Sequence, residues 1–217
     1  MLRTNVKDSE LVDLDRVFRF TKQIAAVIEA VVFEVGAFSH LDNGMSAVST
    51  DKDEPASKPA VTEYESDVEL YNKVFALASK AASRKSRRGQ VAVICFDPKK
   101  YEKYAIAGSY KKSLLAIESR SDLNQIRYSG KRFVYSEPEQ VAGHQFEDVF
   151  VINVDSSIFN KSESPLERRE AISRLYLALT RASARLHICS SKDGGGLPYF
   201  LKAVVQQSLA QQGIDPA

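Results

Sequence analysis

The sequence predicts an α/β domain: a mostly parallel sheet with helices on both faces. Three observations predict it. Short, continuously apolar runs recur along the chain, in "QVAVICF" (90–96), "EDVFVINVD" (147–155) and "RLHICSS" (185–191). Such runs suit strands covered on both faces. Between them lie segments whose apolar residues return at helical spacing, as at Leu70, Val74, Leu77, Ala78 and Ala81. The two patterns alternate, which favours parallel strands joined by crossover helices over a series of hairpins.

Each element has its own local reason. Phe20, Ile24, Val27, Ile28, Val31 and Val35 fall on one helical face, with Thr21 placed to cap its start. Residues 39–60, "SHLDNGMSAVSTDKDEPASKPA", are rich in Ser, Asp and Pro. They read as a mobile surface loop within one domain spanning 1–217 rather than as a domain boundary. "AVTEY" (60–64) suits a short strand, and Ser66 with Glu69 forms a capping-box pattern for the next helix. Asp97 and Pro98 suit the N-cap and first position of a helix ending near Gly108. "KRFVYSE" (131–137) reads as a further strand and Leu166 to Leu179 as a helix. "LPYFLKAVVQQSLAQQ" (197–212) closes the chain as a helix with Pro198 in its first turn.

Composition bounds the function. The chain has 217 residues, 44% of them hydrophobic, enough for one domain with a full core. Its formal net charge of +2 is too small to announce a nucleic-acid binder by composition. Cys95 and Cys189 lie in apolar runs and read as reduced core thiols. No apolar run approaches the roughly 18 residues of a membrane span. "MLRTNVKDSE" has no apolar stretch behind its charges, so a cytoplasmic protein without membrane contact is expected. His40, His144 and His187 are far apart and no Cys/His spacing suggests zinc, so no metal site is expected in the chain. His144 reads as a loop histidine and His187 as a core or edge residue of a strand. The basic run 80–90, "KAASRKSRRGQ", reads as a solvated helix end, and "DGGG" (193–196) as a flexible linker.

One junction stands out. Thr180, Arg181 and Ala182 interrupt an apolar stretch, between the end of a helix and the start of a strand. That is ordinarily the sheet edge opposite the ligands. By spacing alone, Arg181 caps the last carbonyls of the helix.

Three stretches in order add a second reading. "VFRFTKQIAAVI" (17–28), "VAGHQFEDVFVINV" (141–154) and "LYLALTRASARLHI" (175–188) resemble motifs IV, V and VI of superfamily I helicases of the UvrD/PcrA/Rep type. The third matches most closely, with Tyr176, Ala178, Leu179, Thr180, Arg181 and Ala182 in place of "LYVALTRA". "LPYFL" (197–201) resembles the "PSRFL" that follows in that family. The resemblance spans about residues 10 to 205 and implies a RecA-like fold, the C-terminal motor domain of an ATP-dependent DNA helicase. It implies that Phe18 stacks on adenine, that Arg19 reaches the γ-phosphate and that Arg181 acts as an arginine finger. Gly143 and Gln145 would line the nucleotide, Gln145 at the ribose.

A permanently charged, forked donor suits the charge that spreads over a transferring phosphoryl group. The family pattern is not complete. Ala142 stands where the family has Lys, Gln145 where it has Glu, and Glu139 where it has a histidine. The chain contains no G-x-x-x-x-G-K-[ST] motif. Asp155, in "VDSS", ends a strand but follows motif V and so is out of order for a Walker B acid. ATP and Mg would therefore be held only together with an N-terminal P-loop helicase domain, and the isolated chain is expected to be inactive. Its start just ahead of motif IV suits an excised C-terminal fragment. The interval 109–131 reads as a stub in place of the family's accessory domain. Single-stranded or partly duplex DNA is the implied partner. The competing expectation is a non-catalytic interaction module that keeps the fold and binds a protein.

Overall fold

The computed structural model describes residues 21–34, 59–84, 90–97, 99–100, 112–128, 130–160 and 164–202. In chain order the elements are helix α1 (Lys22–Glu34), strand β1 (Ala60–Tyr64), helix α2 (Asp67–Arg84) and strands β2 (Val91–Cys95) and β3 (Leu114–Ile117). A 3-10 helix (Arg120–Tyr128) leads to β4 (Phe133–Ser136) and β5 (Phe146–Ile152). Helices α3 (Ser156–Asn160) and α4 (Pro165–Leu179), strand β6 (Ala182–Ser191) and a 3-10 turn (Lys192–Gly194) follow.

Among the described residues six strands form one sheet in the order β1-β6-β5-β2-β4-β3, and each of their pairings is parallel. The expected mostly parallel α/β sheet is present. All five residues of β2 are buried, as its unbroken apolar run requires. Alternation sorts them onto two faces. Ala92 and Ile94 join Val149, Val151, Leu186 and Ile188 under α1 and α4, against Ile24, Ile28, Val31, Leu175 and Leu179. Val91, Val93 and Cys95 face the other way, with Phe150, Ile152 and Cys189, under Leu70, Tyr71, Val74, Phe75 and Ala78 of α2. Phe75 there meets the rings of Tyr71, Phe133 and Tyr135 at 5.2–5.3 Å.

The caps follow the sequence closely. The amide of Ile24 donates to Thr21 Oγ1 at 3.4 Å and that of Glu69 to Ser66 Oγ at 3.2 Å. The Glu69 carboxylate reaches back one residue further than a capping box has it, accepting from the amide of Glu65 at 3.1 Å. Ser164 caps α4 and Pro165 opens it.

Within the interval 109–131, Leu114–Ile117 is a strand of the main sheet, paired along β4. β6 begins earlier than the apolar run suggested, directly after Arg181. Of the expected loop 39–60 only residues 59 and 60 are described, and Ala60 already belongs to β1. Phe18, Arg19, Phe20, Val35, Pro98 and Gly108 lie outside the described residues, as does residue 203 onward of the closing helix.

Candidate functional site

At the amino edge of the sheet, two of the stretches singled out in the sequence come together. The chain leaves α4 at Thr180 and enters β6 at Ala182, and β6 pairs with β5 beginning at Phe146 and Ala182. The turn ahead of β5 is thereby set beside Arg181. The amide of Phe146 donates to the carbonyl of Arg181 at 2.9 Å. Gly143 and Gln145 in that turn are exposed. Gly143 has φ +90°, and nothing lies within 4 Å of where a Cβ would stand. Glycine is therefore favoured there by the left-handed backbone, not by crowding.

Arg181 itself does not project. The residue is 8% exposed. Its Nε donates to the carbonyl of Leu177 at 3.1 Å, one terminal nitrogen to the carbonyl of His144 at 3.1 Å, and the other to Thr180 Oγ1 at 3.0 Å. The Thr180 hydroxyl in turn donates to Leu177 at 3.0 Å. In this structure the guanidinium is turned inward onto the domain's own acceptors. The last carbonyls of a helix lack intrahelical partners and carry the negative end of its dipole. The five-donor guanidinium, two residues beyond the helix, takes up that of Leu177 and ties it to the turn before β5.

The carboxyl edge is built differently. Here the ends of β1, β2, β5 and β6 meet, where open α/β sheets ordinarily hold ligands. Lys100 Nζ lies 2.9 Å from Asp67 Oδ1 and 2.9 Å from Asp155 Oδ2. Ser191 Oγ donates to Asp67 at 2.5 Å, and the Ser191 amide to Asp155 Oδ1 at 2.9 Å. Asn153, fully buried and left-handed at φ 59°, donates to Asp67 at 3.4 Å and accepts from the Tyr71 hydroxyl at 2.6 Å. Asp155 is 1% exposed. Burial pushes its carboxyl above the usual range, by more than Lys100 and the Ser191 amide pull it down. Burial draws the Lys100 ammonium down, but its two carboxylate partners together more than offset this and hold it above its ordinary value. Gly194 packs so closely that a Cβ there would come within 2.1 Å of Asp155 Oδ2.

These side chains satisfy one another. Among the described residues no group of three or more His, Cys, Asp or Glu is arranged to hold a metal. The carboxylates of this edge are taken up by Lys100 and Ser191, so it does not fit a nucleotide with its magnesium. The glycine run beside it is also closed. The amides of Gly195 and Gly196 donate to the carbonyls of Lys192 and Ser191 at 2.9 Å, and that of Leu197 donates to Glu63 at 2.7 Å. "DGGG" is thus a hydrogen-bonded turn, not a flexible linker.

A third feature lies between β2, β4 and α4. Arg174 points from the middle of α4 to the carboxyl ends of β2 and β4. Its Nε and a terminal nitrogen engage both oxygens of Glu139, in the turn after β4. Its other terminal nitrogen donates to the carbonyl of Phe96 at 3.3 Å, and the guanidinium carbon lies 5.2 Å from the centre of the Phe96 ring. Glu139 thus turns the position where the resembled motif carries a histidine into an internal ion pair.

The remaining candidates are simpler. Cys95 and Cys189 are buried free thiols, pushed up to about 12 chiefly by burial. His187 stacks on Phe150 with ring centres 4.4 Å apart, and burial lowers its pKa. Among the described residues no helix is long and apolar enough to cross a membrane.

No protein-family model matches the chain, and no curated protein matches it. Among solved structures it is similar to the C-terminal domain of a possible DNA helicase from Lactobacillus plantarum WCFS1. The TM-score is 0.56 at 16% sequence identity, over 86% of this chain and 93% of that one. At that identity the likeness is one of fold, an α/β domain of RecA-like type.

Proposed function

We propose that the chain is the second motor domain of a UvrD-like, ATP-dependent DNA helicase. The observation that carries the reading is the fold, shared over nearly the full length of the C-terminal domain of a possible DNA helicase. The order of the three motif-like stretches supports it, as does the meeting of Gly143, Gln145 and Arg181 at one sheet edge. In this reading a P-loop domain holds ATP and magnesium. Phe18 and Arg19 complete the adenine and γ-phosphate contacts, Gln145 meets the ribose, and single-stranded DNA runs along the paired domains. Arg181 would act only after exchanging its carbonyl and hydroxyl acceptors for phosphate oxygens. A phosphate oxygen adds the attraction of an opposite charge, which the neutral acceptors lack.

The test uses the 217-residue protein and a labelled oligothymidylate in fluorescence anisotropy. Binding that weakens steeply with salt is expected, together with no ATP hydrolysis above background. DNA-stimulated phosphate release from the pure chain, or no DNA binding at about 50 mM salt, would overturn the reading.

One observation favours a second reading, the non-catalytic module that binds a protein. Arg181 is already consumed as a helix cap, and Ala142, Gln145 and Glu139 replace the matching motif residues. In that case Arg181→Ala, in a complex with the P-loop domain, leaves turnover unchanged. As a finger it would lose on the order of a thousandfold in rate.

A further inference from the structure

The pair Arg174–Glu139 has the form of a phosphate site with its ligand supplied from within. An arginine fork that engages both oxygens of a carboxylate presents the same two parallel donors to two phosphate oxygens. The fork stands at the carboxyl ends of β2 and β4, on the edge where open α/β sheets take ligands. It also opens to solvent, with side-chain exposures of 23% for Arg174 and 40% for Glu139. The guanidinium is held from behind as well: the Phe96 carbonyl accepts from it and the Phe96 ring lies beneath it. Without the carboxylate it would keep its place. Two further acids, Glu137 and Glu170, face the same guanidinium and raise the cost of bringing in an anion.

We propose that Glu139 masks a phosphate-reading fork on Arg174, and that binding of a nucleic-acid backbone or a nucleotide phosphate exchanges one oxyanion for the other. The inference rests on the helicase reading above and adds to it a residue and a gate outside the three motif arginine and glutamine positions. The gate makes the domain a weak binder on its own, since each binding event must first displace an internal carboxylate.

The test compares wild type, Glu139→Gln, Arg174→Lys and the double variant. A Glu167→Gln control removes the same charge from the exposed start of α4. The probes are a labelled oligothymidylate and, in a separate arm, ATP and ADP. Glu139→Gln is expected to bind its ligand roughly five- to tenfold tighter. For the oligonucleotide its salt dependence should steepen by about 0.7, the increment for one extra phosphate contact on a single strand. Arg174→Lys in the Glu139→Gln background should abolish the gain, because a point charge cannot replace the fork. The Glu167→Gln control should change affinity less than twofold. A gain for the oligonucleotide identifies a backbone phosphate as the ligand, and a gain confined to ATP and ADP identifies a nucleotide phosphate.

If wild type binds DNA and Glu139→Gln, still folded by circular dichroism, binds neither ligand more tightly, the gate is wrong and the helicase reading stands. A gain that survives Arg174→Lys, or that Glu167→Gln reproduces, reduces the effect to net charge and also overturns the fork. If no variant binds DNA or nucleotide, both readings fall together.

Discussion

The two edges of the sheet solve the same problem by different means. At the amino edge, Arg181 joins α4 to the turn before β5 through neutral acceptors, two carbonyls and a hydroxyl. At the carboxyl edge, Lys100 joins β1, β2 and β5 through the side chains of two aspartates, one of them almost fully buried. The three acceptors just named for Arg181 at the amino edge are uncharged. At the carboxyl edge, loss of Lys100 would leave two carboxylates, one of them almost fully buried, without their cation. The amino edge is therefore the one that can be rearranged by a partner, and the carboxyl edge is the one that holds the strands in place.

The largest effect that would break this contrast is at Asp155. Asp155→Ala removes a buried partner of Lys100 and the acceptor of the Ser191 amide. It should cost about 3 kcal/mol or more of stability, near the lower figure for breaking buried pairs, because Lys100 keeps Asp67. Urea denaturation measures it, and a loss below 1 kcal/mol would show the lattice to be decoration. Arg181→Ala comes next, at about 2 kcal/mol, since the acceptors it leaves are neutral and partly reachable by water. A loss equal to that of Asp155→Ala would erase the difference between the edges.

Gly194→Ala should cost about 1–3 kcal/mol by overpacking against Asp155. In an Asp155→Ala background most of that cost should vanish, because the atoms it strikes are gone. Strict additivity of the two substitutions would place the clash elsewhere.

The smallest effect concerns His187. Its folded pKa lies below the ordinary 6.5, so the unfolded chain binds the extra proton first. Its share of the stability is complete above the ordinary value and is lost as pH falls through the lowered folded one. His187→Gln should flatten the pH dependence of the urea midpoint between about pH 7.5 and 5. An unchanged slope would put the titration on other groups.

Legibility in the sequence follows the same division. The strands with long apolar runs, β2, β5 and β6, could be read directly, as could the caps at Thr21 and Ser66, because each is a local signal. β3 could not. "LLAI" is four residues long and follows two lysines and a serine, and its strand state is fixed by β4 and not by its own pattern. The amino-edge site was partly legible: spacing alone placed Arg181 as a cap, and the motif resemblance pointed to the same residue for a different task. The carboxyl-edge lattice was not legible. Its members come from four strand ends, and Asp67 and Ser191 are 124 residues apart in the chain. The only sequence signal is that the strand segments run into polar residues, as at Asp67, Asp97, Asn153 and Ser191. Asp155 drew notice there for an order it did not fit, not for the lysine it holds.

The two buried thiols offer a clock for this architecture. Cys95 lies among the polar residues of the carboxyl edge, within 3.4 Å of the Tyr71 hydroxyl and donating to the carbonyl of Asp97. Cys189 lies two residues before the end of β6, its pKa raised by burial alone. Neither forms appreciable thiolate while folded, so an alkylating reagent reacts only when the chain opens around it. Where both sulfurs react at one rate, the sheet opens as a unit. Where Cys95 reacts first, the strand ends fray before the core does, and the ratio of the two rates gives the free energy of that fraying in solution.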